Sequence, residues 1–135
     1  MKRPNWDTYF LGIAMSVAKR ASCPRARVGA VLVSANNRVL STGYNGAAPK
    51  ALDCLEAGCD MQDNHCQRAL HAEVNAVAFA ARAGVSIEGA RLYLWSNQYP
   101  AFQPCRECLK VLAATGITWW IVAGIGGSGG QIIND

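Results

Sequence analysis

Residues 91–123 read RLYLWSNQYPAFQPCRECLKVLAATGITWWIVA, and this stretch decides the fold class. The apolar and aromatic residues at 91–95 and 117–123 predict two strands. Residues 105–115 predict a helix that ends before Gly116, since glycine commonly follows the last helical turn. Strands that alternate with helices in this way favour an α/β fold, in which helices pack on the faces of a mixed sheet.

The N-terminal part of the chain adds a helix and a hairpin. Apolar residues recur at helical spacing over 6–21, with Asn5 as the expected N-cap and Pro24 as the residue that stops the helix. Residues 27–33 form a continuous apolar run, which predicts a strand buried on both faces. After a turn, residues 38–42 predict the second arm of the hairpin.

The remaining segments complete the order α-β-β-α-β-α-β. Residues 43–46 are expected to leave the hairpin as a loop, and residues 47–66 are expected to be irregular. An alanine-rich helix is predicted over 70–83 and ends at Gly84. The glycine-rich tail, residues 124–130, has the composition of a flexible segment.

Length and composition limit the class of protein. The chain has 135 residues, of which 51% are hydrophobic and 16% charged, so we expect one domain over residues 1–135 and no wholesale disorder. The sequence contains no apolar run of about 18 residues, which is the length of a membrane span. The first residues lack the apolar core of a signal peptide. We therefore expect a cytoplasmic protein with no membrane partner. The net charge of +4 fits either an ordinary solvated surface or an anionic small ligand. The sequence has no dense run of Lys and Arg, so we expect no binding to nucleic acid.

Two short segments, each at the start of a predicted helix, carry the candidate chemistry. They are His71-Ala72-Glu73 and Pro104-Cys105-Arg106-Glu107-Cys108. A CxxC on the first turn of a helix can point both thiolates at one ion, and His71 supplies a third ligand from the other helix. Three protein ligands leave the fourth position of zinc open, which is typical of a catalytic site. A mixed set of imidazole and thiolates also suits zinc.

Glu73 follows His71 by two residues, and within one helical turn both side chains can reach an atom beyond the helix end. A further protein ligand would close the site, so we interpret Glu73 as the general base that takes a proton from zinc-bound water. Taken alone, His71 fits a satisfied polar residue, and Cys105 with Cys108 fits a redox pair. The joint pattern favours catalytic zinc, and the intact Glu73 argues against a non-catalytic zinc-binding scaffold.

An H-x-E segment followed by P-C-x-x-C is the signature of zinc-dependent nucleobase deaminases. From about residue 8 to residue 123, the chain resembles the cytidine and deoxycytidylate deaminase superfamily, and most of all its dCMP deaminases. The resemblance is carried by the cysteine-bearing loop and by the stretches CPRARVGA at 23–30, STGYNG at 41–46 and CQRALHAEVNA at 66–76.

The resemblance implies a three-layer cytidine-deaminase-like fold, with a mixed central sheet and helices on both of its faces. It implies hydrolysis of dCMP to dUMP and ammonia, in which hydroxide attacks C4 of the pyrimidine while Glu73 protonates N3 and helps ammonia leave. It further implies a homo-oligomer, commonly a hexamer, and feedback by dCTP and dTTP in which residues 43–46 are often implicated.

By the same resemblance, Asn45 hydrogen-bonds the sugar of the nucleotide, and Val28 and Ala72 line the pocket for the base. The phosphate needs cations, and the nearest candidates in sequence are Arg25 and Arg27. Both arginines are equally well explained as solvated residues where a strand begins.

Four further cysteines suggest a second, structural zinc site: Cys23, Cys54, Cys59 and Cys66. Four thiolates make a closed zinc site, and a long irregular loop gains most from such a cross-link. His65 is a reserve ligand. The alternative is free thiols in a reducing compartment. The resemblance also supports the site, because some dCMP deaminases carry one.

Two segments depart from the pattern of the superfamily. Residues 96–103 intervene where the third strand usually runs almost directly into the P-C-x-x-C segment, and residues 124–130 replace an aromatic-bearing tail. Tyr99 and Phe102 are candidates either to stack on a base or to pack against a neighbouring subunit. These departures keep other substrates open: a modified cytosine nucleotide, a nucleoside, or an adenosine of tRNA.

Overall fold

The computed structural model describes residues 2–47, 51–62, 65–66 and 70–132. Its elements, in chain order, are α1 (Trp6–Ala18), β1 (Val28–Val33), β2 (Val39–Tyr44), α2 (Cys54–Ala57), β3 (Met61–Gln62), β4 (His65–Cys66), α3 (Ala72–Ala83), β5 (Arg91–Ser96), α4 (Arg106–Ala114), β6 (Trp119–Gly124) and β7 (Gly127–Ile132). No helix in the described ranges is both long enough and apolar enough to cross a bilayer.

Five strands form one mixed sheet in the order β2-β1-β5-β6-β7. The pair β5 and β6 is parallel, with α4 as the crossover between them, and the other three pairs are antiparallel. Strands β3 and β4 make a separate two-stranded ribbon. The predicted α/β class and mixed sheet are therefore confirmed.

Alternate residues of β1 face two different helical layers. Val31 and Val33 pack with Phe10 of α1, whereas Ala30 and Leu32 pack with Ala72 of α3. Side chains alternate between the faces of a sheet, so α1 lies on one face and α3 on the other. Every residue of β1 is buried, as predicted for a strand covered on both sides.

Two glycines allow the helices to approach the sheet closely. A Cβ on Gly29 would meet the backbone of α1, at the Ala14 carbonyl oxygen and 2.6 Å from the Ala18 nitrogen. A Cβ on Gly43 would meet the backbone of α3, at the Ala76 nitrogen and 2.5 Å from the Ala72 carbonyl oxygen. The second contact seats the helix whose first turn carries His71-Ala72-Glu73.

Several local predictions are confirmed, and some boundaries differ. The Asn5 side chain caps α1 by accepting a hydrogen bond from the Thr8 N–H at 2.8 Å. Gly84 ends α3 in the left-handed region, with φ of +69°. Helix α1 ends at Ala18 rather than at residue 21, because a turn begins there before the chain reaches the proline.

Two segments predicted to lack regular structure contain strands. Gly43 and Tyr44 belong to β2 rather than to a loop, because the ladder with β1 continues through both of them. Residues 47–66, expected to be irregular, contain the short helix α2 and the ribbon.

The prediction of a flexible tail over residues 124–130 is wrong. Gly124 ends β6, and Gly127–Ile132 form β7, which is paired with β6 from Gly124↔Gly127 to Trp119↔Ile132. Glycine-rich composition indicates weak local preference, but backbone hydrogen bonds to a neighbouring strand do not depend on side chains.

Candidate active site

Two helix N-termini meet where the two chemistry-bearing segments were predicted. His71 is the N-cap of α3 and Cys105 is the N-cap of α4, where the Cys105 sulfur accepts a hydrogen bond from the Cys108 N–H at 3.4 Å. Helix N-termini carry partial positive charge and unpaired N–H groups, and both favour anionic ligand atoms such as thiolates. The sequence placed both segments correctly at helix starts.

The start of α3 is held against β2 by side-chain hydrogen bonds. Asn75 is buried, and its amide donates to the Tyr44 carbonyl oxygen at 2.8 Å. The Ser41 hydroxyl donates to the Ala76 carbonyl oxygen at 2.7 Å. Gly46 and Leu70 form an isolated bridge just before the helix. These contacts fix the direction in which the first turn of α3 points.

Three potential ligand atoms converge between the helices. The His71 Nδ1 lies 3.0 Å from the Cys108 sulfur and 3.8 Å from the Cys105 sulfur, and all three ligand atoms lie within 4.8 Å of one another. Ligand atoms around a tetrahedral zinc are separated by about 3.5 Å, given bond lengths of about 2.0–2.3 Å. The spacing therefore fits a single zinc ion. In the part of the chain that the structure describes, this is the one group of three or more such residues.

Glu73 lies buried beside this group, with 2% of its surface exposed. Burial raises the pKa of its carboxyl, whereas a backbone hydrogen bond, the His71 charge and a hydrogen bond with Cys108 act in the opposite direction. The net effect is upward, so the environment penalises a negative charge at this position.

Cys108 is under the same penalty. Burial raises the pKa of its thiol well above the usual range, and the Glu73 and Cys105 charges raise it further. Two neighbouring acids that both resist ionisation would be stabilised as anions by a divalent cation. The chemistry of the donor set and its electrostatics thus both fit a bound zinc.

A cavity of about 270 Å³ opens beside His71 and Glu73. Its lining residues are Cys23, Arg25, Ala26, Val28, Asn45, Met61, Leu70, His71, Ala72, Glu73, Gln98 and Phe102. The cavity therefore brings together most residues that the sequence suggested for substrate binding. Arg27 and Tyr99 are not among its lining residues, although each is adjacent in the sequence to a residue that is.

Asn45 connects the cavity wall to the start of β1. Its side-chain oxygen accepts from the Val28 N–H at 2.8 Å, and its side-chain nitrogen donates to the Ala26 carbonyl oxygen at 2.7 Å. An asparagine amide offers two donor hydrogens and two acceptor lone pairs. One of each is left over for a ligand after these two bonds.

Some residues at this site were not found from the sequence, among them Met61, Gln98 and Asn75. Met61 comes from the ribbon, Gln98 comes from the segment between β5 and α4, and Asn75 orients α3 from below. Met61 and Gln98 carry no sequence signal, since they reach the cavity through the folding of loops. Asn75 stands two residues after Glu73, and a polar residue on the buried side of an alanine-rich helix was the signal available.

The cysteines predicted for a second zinc are only partly described. Cys23 and Cys54 are buried and Cys59 is half-buried, and the side chain of Cys66, like that of the reserve ligand His65, lies outside the described residues. The Cys23 sulfur accepts hydrogen bonds from the Arg25 and Ala26 N–H groups, both at 3.4 Å. Within the described residues, these cysteines form no second group of three ligand atoms.

Comparison with known families and proteins gives a consistent result. Residues 4–124 match the family model described as the cytidine and deoxycytidylate deaminase zinc-binding region. The chain is 39% identical over 128 residues to a deoxycytidylate deaminase of Mycobacterium phage D29, covering 87% of this chain and 93% of that protein.

Longer relatives match over part of their length. The chain is 37% identical over 110 residues to ComE operon protein 2 of Bacillus subtilis, covering 82% of this chain and 57% of that protein. It is 36% identical over 124 residues to the deoxycytidylate deaminase of Saccharomyces cerevisiae, covering 87% of this chain and 37% of that protein.

Solved structures share the fold. The crystal structure of the dCMP deaminase from cyanophage S-TIM5, in complex with dCMP and dUMP, superposes with a TM-score of 0.73 and 26% identity. The superposition covers 92% of this chain and 85% of that one. A cytidine deaminase from Burkholderia pseudomallei, 20% identical with a TM-score of 0.68, shares the architecture.

Proposed function

Since this chain belongs to the cytidine and deoxycytidylate deaminase family, we propose that it hydrolyses dCMP to dUMP and ammonia. The observation that carries the proposal is the convergence of His71, Cys105 and Cys108 within 4.8 Å, beside a buried Glu73 that lines a cavity. The deoxycytidylate deaminases among its relatives support dCMP as the substrate.

The two helix N-termini would hold one zinc ion through the His71 Nδ1 and the Cys105 and Cys108 sulfurs. Zinc in such a site supplies a Lewis acid that lowers the pKa of water to about 7. The protein supplies the orientation of its ligands and a carboxylate on the cavity side of them.

Glu73 is the residue that moves protons in this proposal. Its carboxylate accepts a proton from the attacking water, donates a proton to N3 of the pyrimidine, and assists the departure of ammonia from C4. A carboxyl at this position serves all three transfers because it is buried beside the ligand group and also lines the cavity. Water is consumed, one C–N bond breaks and one C–O bond forms.

The cavity walls would bind the rest of the nucleotide. Val28 and Ala72 provide apolar surface for the base, and the unused hydrogen-bonding capacity of Asn45 suits a sugar hydroxyl. Arg25 lines the cavity and is the candidate for the phosphate. Arg27 is a weaker candidate because it is not among the lining residues.

A substrate panel tests the proposed function. We expect the purified protein to release ammonia from dCMP with a higher kcat/KM than from deoxycytidine, CMP, or an adenosine-containing RNA. A preference for 5-substituted dCMP would keep the chemistry and revise the substrate. Activity on the RNA alone, or no activity on any of these compounds, would contradict the proposal.

A second, structural zinc held by Cys23, Cys54, Cys59 and Cys66 is part of the proposal. The two backbone N–H groups that face the Cys23 sulfur support it, because such donors stabilise a thiolate. We expect two zinc ions per chain and slow alkylation of Cys54 and Cys59. One zinc per chain, with both of these thiols alkylated rapidly, would contradict the second site.

Assembly and regulation are proposed on the basis of the family alone. We expect a cytoplasmic homo-oligomer, a hexamer by resemblance, whose activity responds to dCTP and dTTP. Light scattering measures the assembly, and dCMP saturation curves with and without each triphosphate measure the regulation. A monomer, or superimposable curves, would contradict the respective part.

A further inference from the structure

We propose that residues 96–103 and the glycines of β6 and β7 on which they pack form one structural unit that positions Arg25 for the phosphate of the substrate, with Gln98 as the positioning residue. The inference rests on the proposed function and names the residues that hold its candidate phosphate-binding arginine in place. It also gives one explanation for the two segments that depart from the superfamily pattern.

The first observation is that this loop pins the backbone around Arg25. The Gln98 side-chain nitrogen donates to the Arg25 carbonyl oxygen at 3.1 Å. Asn97 makes two bonds to Arg27: its side-chain oxygen accepts from the Arg27 N–H at 2.9 Å, and its own N–H donates to the Arg27 carbonyl oxygen at 3.2 Å. The segment that leads into β1 is thus held on both sides of Ala26 by two consecutive loop residues.

The second observation concerns the guanidinium of Arg25. One of its nitrogens lies 2.9 Å from the Met61 sulfur, and within the described ranges it forms no ion pair. A thioether is a weak hydrogen-bond acceptor, and a phosphate oxygen would be a much stronger one. The cation at the cavity wall is therefore available to an anionic ligand.

The third observation is the fit between the loop and the glycines of β6 and β7. A Cβ on Gly124 would lie 2.6 Å from the Tyr99 Cβ and 2.6 Å from the Ser96 carbonyl oxygen. A Cβ on Gly129 would lie 3.3 Å from the Tyr99 hydroxyl. Side chains at these two positions would press on the loop, so the glycines provide the surface on which Tyr99 rests.

The loop is also closed on itself in a way that directs two side chains to the cavity. The Gln98 N–H donates to the Ser96 hydroxyl at 3.1 Å, and the Phe102 N–H donates to the Gln98 carbonyl oxygen at 3.1 Å. Gln98 and Phe102 both line the cavity. The loop therefore connects the glycines of β6 and β7 with the wall that carries Arg25.

Gln98→Met tests the positioning role, because methionine keeps the length of the side chain and removes the donor. We expect the ratio of kcat/KM for dCMP to kcat/KM for deoxycytidine to fall about three- to tenfold, the size of one lost hydrogen bond. Gln103→Met is the matched control: Gln103 is exposed on the same segment and does not line the cavity. An unchanged ratio, whether kcat/KM stays the same or falls equally for dCMP and deoxycytidine, would overturn the proposal.

A pair of glycine variants tests the seat of Tyr99 on Gly124, the last residue of β6. Gly124→Ala should lower the same ratio, whereas Gly126→Ala should not, since a Cβ on Gly126 meets nothing nearer than the Pro100 ring at 4.0 Å. Equal ratios in the two variants would overturn the role of the seat, and the Gln98 variant remains decisive if Gly124→Ala does not fold.

If the wild type deaminates neither compound, the proposed function itself fails. If it deaminates both and Gln98→Met changes nothing, only the positioning inference fails.

Discussion

The floor and the wall of the cavity are built in different ways. What we call the floor consists of His71 and Glu73, which line the cavity, and of Cys105 and Cys108 behind them; all four stand at the starts of two helices. The wall consists of Arg25, Met61, Gln98 and Phe102, which come from loops and from the ribbon. The floor is held by helix geometry and the wall by hydrogen bonds between loops.

This difference separates chemistry from substrate choice. A defect in the floor should reduce turnover of every substrate, because the proposed reaction takes place there. A defect in the wall should change the ratio between substrates, because in the proposed function the wall binds the parts of the substrate that do not react. The following predictions test that separation, from the largest expected effect to the smallest.

Glu73→Gln is expected to have the largest effect. The amide keeps the shape of the side chain but cannot accept the proton, so kcat should fall by at least about 10²–10⁴-fold on dCMP and on deoxycytidine alike. Zinc content should be unchanged, since Glu73 is not one of the three converging ligands. Residual turnover close to that of the wild type would refute Glu73 as the proton-transfer group.

Arg25→Ala should affect one substrate class only. Losing a charge-assisted hydrogen bond of about 1.5–3 kcal/mol should raise the KM for dCMP roughly ten- to hundredfold, with little change for deoxycytidine. Arg27→Ala is the matched control, since Arg27 lies two residues away but does not line the cavity. If the Arg27 variant lost more affinity for dCMP than the Arg25 variant, the wall would have been assigned to the wrong arginine.

Gly43→Ala should disturb the floor from below. The new methyl group would meet the backbone of α3 at Ala72 and Ala76, at a cost of about 1–3 kcal/mol in the free energy of unfolding. Turnover of both substrates should fall together. Gly12→Ala is the control, because nothing lies within 4 Å of that position on α1, and it should stabilise the protein by about 0.5–1 kcal/mol. We expect the Tm of Gly43→Ala to lie below that of the wild type and the Tm of Gly12→Ala to lie above it. Equal shifts in Tm would contradict the close approach of α3 to Gly43.

Tyr93→Phe should leave the cavity unaffected, because Tyr93 packs on the α1 face of the sheet. Burial, together with the hydrogen bond that its hydroxyl donates to Asp7 at 2.6 Å, raises the pKa of Tyr93. A raised phenol pKa stabilises the fold below the unfolded value of about 10, and this contribution is lost as the pH rises above it. The fall in Tm above about pH 10 should therefore be shallower in Tyr93→Phe than in the wild type. A change in the dCMP to deoxycytidine ratio would contradict the independence of the two faces.

The floor was predictable from sequence because its geometry is local. CxxC on a first turn and His and Glu two residues apart fix where side chains point relative to a helix end, and α4 does begin at Arg106, directly after Cys105. The buried strand β1 and the helix ends at Gly84 and Gly116 were predictable for the same reason, since each depends on a few adjacent residues.

Arg25 and Phe102 of the wall were named from the sequence, but Met61, Gln98 and the contacts that assemble the wall were not, because these contacts join residues far apart in the chain. Gln98 reaches Arg25 across 73 positions of the chain, and the guanidinium of Arg25 reaches Met61 across 36. The strand β7 was missed because its glycines have no side-chain pattern, and its pairing is determined by β6. Composition suggested flexibility where the sheet supplies the order.

Metal analysis of Cys108→Ala beside the wild type tests the central claim most directly, namely that His71, Cys105 and Cys108 together hold one zinc ion. Because three ligands converge there, we expect the folded variant to contain one zinc ion per chain fewer than the wild type. The same zinc content in both proteins would contradict the account.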